Sequence, residues 1–194
     1  MIHRLLRQRT RDLHTSVEGH LRILLSDQLS VGQYAAVQKS FYGFYKPVED
    51  RLAAFVGRED PELQLAKRLK LPLLVGDLAV LAVPAEAIAQ LPVCDRLPPI
   101  GSVPEVLGCL YVLEGSTLGG RIITRHLKLV LPLNVGACSF FNSYGDNVGR
   151  MWSTFLGVLS RHCEEYGDQE AIVNSACQTF ACLERWFSLA EIVV

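Results

Sequence analysis

Apolar residues recur along this chain at steps of three and four, and no segment keeps the two-residue alternation of a strand for long. Residues 2 to about 24 are predicted as an amphipathic helix carrying Leu6, Leu13, Val17 and Leu21. Ser30 is placed to cap a second helix, whose stripe of Tyr34, Val37, Phe41, Phe44, Tyr45, Val48 and Leu52 runs to about Phe55. Pro47 is expected to kink it, because proline removes a backbone donor. Asp60, Pro61 and Glu62 have the order of a helix start, predicting a helix to about Lys70. Pro72 then opens a short helix with Leu74, Leu78 and Leu81. Residues 82–101, with Pro84, Pro92, Pro98 and Pro99, read as a connector with one helical turn around 86–90. Ser102 and Glu105 form a capping-box pattern opening a long helix to about Val130, stopped by Pro132. Residues 140–147 read as a turn-rich link. Asp146 or Asn147 then caps a helix with Val148, Trp152, Phe155, Leu159 and His162, ended by Gly167. Asp168 caps a last helix with Ile172, Ala176, Phe180, Leu183 and Phe187 on one face. The predicted fold is all-α, one domain over residues 1–194, without internal repeat or linker.

Two stretches depart from plain helix chemistry. Gly115, Gly119 and Gly120 fall inside the long helix, and each costs about 1 kcal/mol of helix propensity relative to alanine. A bend is expected there. Gly115 and Gly119 share a face without side chains, against which a second helix or a flat, bulky group could lie. On the first helix, Arg7, Thr10, His14, Glu18 and Leu21 make a stripe beside the apolar face. His14 in that setting is either a hydrogen-bonded, partly buried imidazole or a ligand.

Composition removes several function classes. Apolar residues at 49%, charged residues at 20% and a net charge of −1 fit an ordinary globular protein, and the absence of a basic run removes support for nucleic-acid binding. No apolar stretch reads as a membrane span and residues 1–13 contain no signal-peptide core, so a cytoplasmic protein with no membrane partner is expected. Cys94, Cys109, Cys138, Cys163, Cys177 and Cys182 form no C-x-x-C pair, which argues against a zinc knuckle. Residues 114–116 do not form a G-x-S-x-G elbow. His14, His126 and His162 each lack the glutamate three residues earlier that a ferritin-like di-iron site needs. No strand and glycine loop offer a phosphate site. What remains is one imidazole on a first helix, a later helix thinned by glycines, and several aromatic faces. A flat apolar cofactor between two helices uses those parts. Haem is the obvious one, with a neutral histidine on one side of its iron and bare backbone over the other.

At these residues the sequence resembles the haem oxygenase family in its bacterial form. The resemblance is carried by residues 5–11, by Thr10, His14 and Glu18 at four-residue spacing, by residues 107–120, and by Phe140, Phe141, Tyr144, Gly145, Met151 and Trp152. It continues in Thr179, Phe180, Trp186 and Phe187. It implies an all-helical fold with haem between the first helix and a distal helix spanning 102–130. His14 would match the proximal iron ligand, Glu18 the group that orients its ring, and Arg7 a cation that pairs with a propionate. Arg150 and Arg161 are weaker candidates for that pairing. Phe180 would line the pocket, and Thr10, Tyr111 and Gly120 would also contact the cofactor. Gly115, Ser116 and Gly119 would form the distal wall. Well-known members carry Asp where Ser116 stands. Members also often carry Tyr where Leu110 stands, and here Tyr111 is one step around the helix.

The resemblance further implies that haem is both substrate and cofactor. Its ring would be opened with O₂ to biliverdin, CO and ferrous iron, using electrons from an external donor such as a ferredoxin or a flavin reductase. A bacteriophytochrome is a possible receiver of the biliverdin. Rival readings are a non-catalytic haem carrier or sensor on the same fold, a related scaffold serving a thiamine-type hydrolase, and a helical interaction module with the glycines as a packing seam.

Overall fold

The computed structural model describes residues 1–56, 62–131 and 135–190. Nine α-helices follow one another there: α1 (Ile2–His20), α2 (Val31–Val56), α3 (Leu71–Val80), α4 (Ala85–Ala89), α5 (Val103–Gly115), α6 (Thr117–Val130), α7 (Ser139–Asn142), α8 (Val148–Tyr166) and α9 (Gln169–Leu189). No strand occurs among the described residues.

Core packing centres on α9, which lies between α1 and α5 and touches both more extensively than any other helices touch. Its buried stripe of Ile172, Val173, Ala176, Thr179, Phe180, Leu183 and Phe187 follows the expected period. On α5 every residue from Val106 to Glu114 is buried, so this helix is enclosed rather than amphipathic. Gly108 makes the close approach of α5 and α9 possible, because a Cβ there would lie 2.4 Å from the Ile172 carbonyl oxygen. Together α5 and α6 are long and apolar enough to cross a membrane, contrary to the sequence expectation. The stretch is nevertheless broken at Ser116 and mostly buried in the core.

Capping agrees with the sequence in part. Ser30 Oγ accepts the Gln33 N–H at 3.2 Å and Gln33 Oε1 accepts the Ser30 N–H at 2.9 Å, a reciprocal box at the start of α2. Before α5, the predicted Ser102–Glu105 box is replaced by a bond one residue earlier. Glu105 Oε2 accepts the Gly101 N–H at 2.8 Å, while Ser102 makes no side-chain cap. Asn147 and Asp168 precede α8 and α9 but cap neither through their side chains. Asp168 instead meets His162 Nε2 at 3.2 Å.

Pro47 lies within an unbroken α2. Its missing N–H frees the Gly43 carbonyl, which accepts the Cys94 N–H at 2.9 Å and so docks the connector onto α2.

Four expectations are corrected. The first helix ends at His20 and tightens into a 3₁₀ turn at Arg22–Leu25. The helix expected over 60–70 is not formed in its described part, which holds only a 3₁₀ turn at Leu65–Lys67; Asp60 and Pro61 lie outside the described residues. The cause is that Arg68 and Lys70 both turn inward to a buried carboxylate. The long helix is two helices, with the break at Ser116. The link over 140–147 holds α7 and a 3₁₀ turn at Gly145–Asn147. Asp77 caps α7, accepting the Ser139 and Phe140 N–H groups at 2.9 and 2.8 Å. Pro132 lies outside the described residues.

Candidate active site

The first wall of the site is α1. Its apolar residues Ile2, Leu6 and Val17 point into the core together with Thr10, whose hydroxyl donates to the Leu6 carbonyl at 2.9 Å. Thr10 is therefore a buried helix-face residue. One face further round, His14 is 53% exposed at its side chain. Its Nδ1 lies 3.4 Å from Glu18 Oε2, one turn on. The ring of Phe180, from α9, meets it edge to face at 5.8 Å between centroids. His14 Nε2 has no hydrogen-bond partner among the described residues and is free to act as a ligand. Arg7 is exposed two turns earlier on the same helix.

The second wall is the α5–α6 break. Ser116 Oγ donates to the Leu113 carbonyl at 2.8 Å and Thr117 Oγ1 to the Glu114 carbonyl at 2.6 Å. Two hydroxyls thus take carbonyls of the last α5 turn, a side-chain competition that favours bending. The glycines divide into two kinds. A Cβ on Gly119 would meet nothing within 4 Å, and one on Gly115 would meet only the Trp152 ring at 3.7 Å. Gly120 faces the other way. A Cβ there would lie 2.0 Å from the Phe141 carbonyl oxygen, so Gly120 lets α6 press against α7 and lines no open space. On the open face of α6, Leu118 and Ile122 are 44% and 66% exposed. Sequence reading passed over both, although their spacing from Gly115 puts them on one face.

The two walls are joined at both ends. Near the start, the His3 ring meets Tyr111 at 6.4 Å and Trp152 at 5.7 Å. Near the finish, His126 Nε2 is 3.1 Å from the Ser26 carbonyl oxygen, just past α1. Between these ties no hydrogen bond, ion pair or ring contact among the described residues links α1 to α6. In sequence, His14 lies between His3 and Ser26, and Gly115 and Gly119 lie between Tyr111 and His126.

The remaining expected residues distribute unevenly. Tyr111 is buried against His3 and Trp152, and burial raises its phenol above the ordinary range. Arg150 is exposed at the start of α8, the helix that carries Trp152. Arg161 lies roughly 16 Å further along α8. There it pairs with Glu62 at 3.1 Å and borders a separate cavity of about 370 Å³ with Phe55, Val103 and Tyr166. The fold does not bring it together with His14 and the glycine face.

Beneath the break lies a cluster of charges absent from the sequence reading. Glu114 is 1% exposed. Its Oε2 is 2.5 Å from Arg68 Nη1, and its Oε1 accepts from Lys70 Nζ at 3.2 Å and from the Tyr144 hydroxyl at 2.7 Å. Tyr45, buried on α2, lies 3.3 Å from Ser116 Oγ. Because the Ser116 hydrogen goes to Leu113, Tyr45 is the donor of that pair. Burial raises the phenols of Tyr45 and Tyr144 well above their ordinary range, which keeps both as donors.

Comparison with known proteins agrees with this architecture. A sequence model of the heme oxygenase family matches residues 2–189. A protein described as heme oxygenase from Xanthomonas campestris pv. campestris (strain 8004) is 31% identical over 139 residues, covering 72% of this chain and 76% of that protein. The crystal structure of heme oxygenase-1 from the cyanobacterium Synechocystis sp. PCC6803, in complex with heme, has a TM-score of 0.75 at 17% identity, covering 98% of this chain and 92% of that one. The structure of heme oxygenase from Leptospira interrogans also has a TM-score of 0.75, at 18% identity, covering 97% and 98%.

Proposed function

This chain belongs to the haem oxygenase family, enzymes of haem degradation, and on that premise we propose that it opens the haem ring with O₂ and externally supplied electrons, releasing biliverdin, CO and ferrous iron. The carrying observation is an imidazole nitrogen on α1 without a hydrogen-bond partner among the described residues, together with a face at Gly115 and Gly119 that has no side chain and, at Gly119, nothing within 4 Å of an added Cβ.

The residues present fit haem by chemistry. A flat apolar ring needs a slot with apolar lining, which Phe180, Leu118 and Ile122 supply. Its iron needs a neutral nitrogen, which His14 Nε2 supplies while Glu18 holds the Nδ1 side. Its carboxylates need cations, for which exposed Arg7 and Arg150 are available. When bound, haem supplies the iron that activates O₂ and the ring that is oxidised.

The protein's own part is mostly geometric. Phe180 limits rotation of the His14 ring, so its nitrogen keeps one direction. Gly115 and Gly119 leave room for a diatomic against the helix, where any larger side chain would occupy it. Ser116, donating its own hydrogen to the Leu113 carbonyl and accepting one hydrogen bond from Tyr45, can accept a second from a water beside the glycine face. No carboxylic acid faces the wall from the glycine stretch itself, since Glu114 is turned inward and held by its partners. The electrons come from a ferredoxin or a flavin reductase in this reading, and a bacteriophytochrome is one receiver of the biliverdin.

The test is optical. Hemin is titrated into the purified protein, and ascorbate is then added under air. The expected result is a histidine-type Soret band followed by conversion to a green bile pigment. A stable Soret band without ring opening would identify a carrier or sensor, and no band at all would reject the reading.

A further inference from the structure

We propose that the buried joint of Glu114, Arg68, Lys70 and Tyr144 is the device that positions the distal wall, with Glu114 as its central positioning residue. This goes beyond the functional reading and rests on it in one respect, that the Gly115–Gly119 face looks toward the substrate.

Three separate parts of the chain meet at this carboxylate, and a fourth holds one of them in place. The last turn of α5 brings Glu114, and the segment before α3 brings Arg68 and Lys70. The link before α8 brings Tyr144. The fourth part, α2, brings Glu49, which accepts the Lys70 and Leu71 N–H groups at 2.6 and 3.0 Å. The segment is also fixed to itself. Arg68 Nε donates to the Leu63 carbonyl at 2.6 Å, and Lys70 Nζ donates to the Arg68 carbonyl at 2.5 Å and to the Tyr144 hydroxyl at 2.6 Å. The Arg68 guanidinium further covers the Phe155 ring at 5.5 Å.

Such a cluster is a poor way to gain stability. Desolvating the charges is costly, and well-packed apolar residues in their place are often as good or better. A carboxylate at the C-terminal end of a helix also opposes the helix dipole. What the cluster supplies is direction. Each bond to Glu114 has a preferred length and angle, so together they fix where α5 stops. The next residue is Gly115, and the one after it is Ser116, which Tyr45 holds from α2. A shift of the Glu114 carboxylate therefore becomes a shift of the wall.

Two variants test this, each read in two ways. Glu114→Gln keeps the shape and removes the charge. Tyr144→Phe removes one donor and leaves the charges paired. In the protein without haem, hydrogen–deuterium exchange should quicken about tenfold over residues 113–120 in Glu114→Gln and less in Tyr144→Phe, while residues 172–183 of α9 stay as in the wild type. In the ferric haem complex, the pH midpoint of the acid–alkaline spectral transition should move in the same order, with histidine ligation retained. Unchanged exchange over 113–120, or an equal rise at 172–183, would overturn the proposal. If Glu114→Gln does not fold, Tyr144→Phe decides by the same readouts. Wild-type protein that fails to bind haem while the local exchange effect appears would sink the functional reading and leave the joint standing. Normal ring opening with no local exchange effect would do the reverse.

Discussion

The two walls of the gap are built on opposite principles. On the α1 side, His14 is half-exposed and carries a single carboxylate and the edge of one ring. On the α5–α6 side, the surface is bare at Gly115 and Gly119, and in the residue before them Glu114 is enclosed and bonded to three side chains from distant parts of the chain. The contrast separates chemistry from placement. A ligand needs an accessible nitrogen and tolerates a loose surrounding. A wall made of backbone has no side chain of its own to hold it in place, so its position must be set from below.

Substitution of His14 should produce the largest effect and the cleanest division. His14→Ala should abolish ring opening, a loss of at least about a thousandfold, because no other described group offers iron a nitrogen at that point of the gap. Its stability should change by less than about 1 kcal/mol, since a half-exposed side chain contributes little to the core. Thermal melting and bile-pigment formation measure the two separately. A large fall in melting temperature would show that the α1 side is structural after all.

The adjacent glycines of α6 sharpen the comparison from the other wall. Gly120→Ala should destabilise by about 3 kcal/mol or more, because the new methyl would collide with the Phe141 backbone and the helix must move. Gly119→Ala should leave stability unchanged or raise it by up to about 1 kcal/mol, as alanine is the better helix former and the space is open. Gly119→Leu would fold equally well yet crowd the gap and slow turnover. Chemical denaturation of the three variants, alongside their pigment-forming rates, checks the pattern. Equal destabilisation at 119 and 120 would show that both faces of α6 are packed.

The same contrast explains what could be read from the sequence. The α1 stripe was legible because Thr10, His14 and Glu18 lie on one helix, where spacing alone sets their relation. The glycine stretch was legible because helix propensity is local. The joint was not, since its bonds span 46, 44 and 30 positions of sequence. Arg68 and Lys70 fall at the end of a predicted helix that does not form in its described part. A usable signal was nevertheless present. Glu114 ends an apolar run on a helix buried on every side, and a carboxylate there must find cations. Asp77, enclosed in the apolar α3, carried the same signal for the cap of α7.

Protonation of Glu49 gives the smallest effect and probes the foundation of the joint. Burial pushes its carboxyl up from 4.5 to about 7, although the two backbone N–H groups of Lys70 and Leu71 favour its charged form. The folded state therefore holds this proton more tightly than the unfolded chain. The resulting stabilisation is complete below pH 4.5 and is lost as the pH rises through about 7. Between pH 5 and pH 8 that loss is about 2 kcal/mol. Glu49→Gln cannot titrate, so the stability difference between wild type and variant should drift by that amount across the interval, in favour of the variant at high pH. Denaturant melts at pH 5 and pH 8 measure it. A constant difference would mean that Glu49 is charged throughout, with Lys70 as its effective counter-ion, and that the joint carries balanced charge at neutral pH.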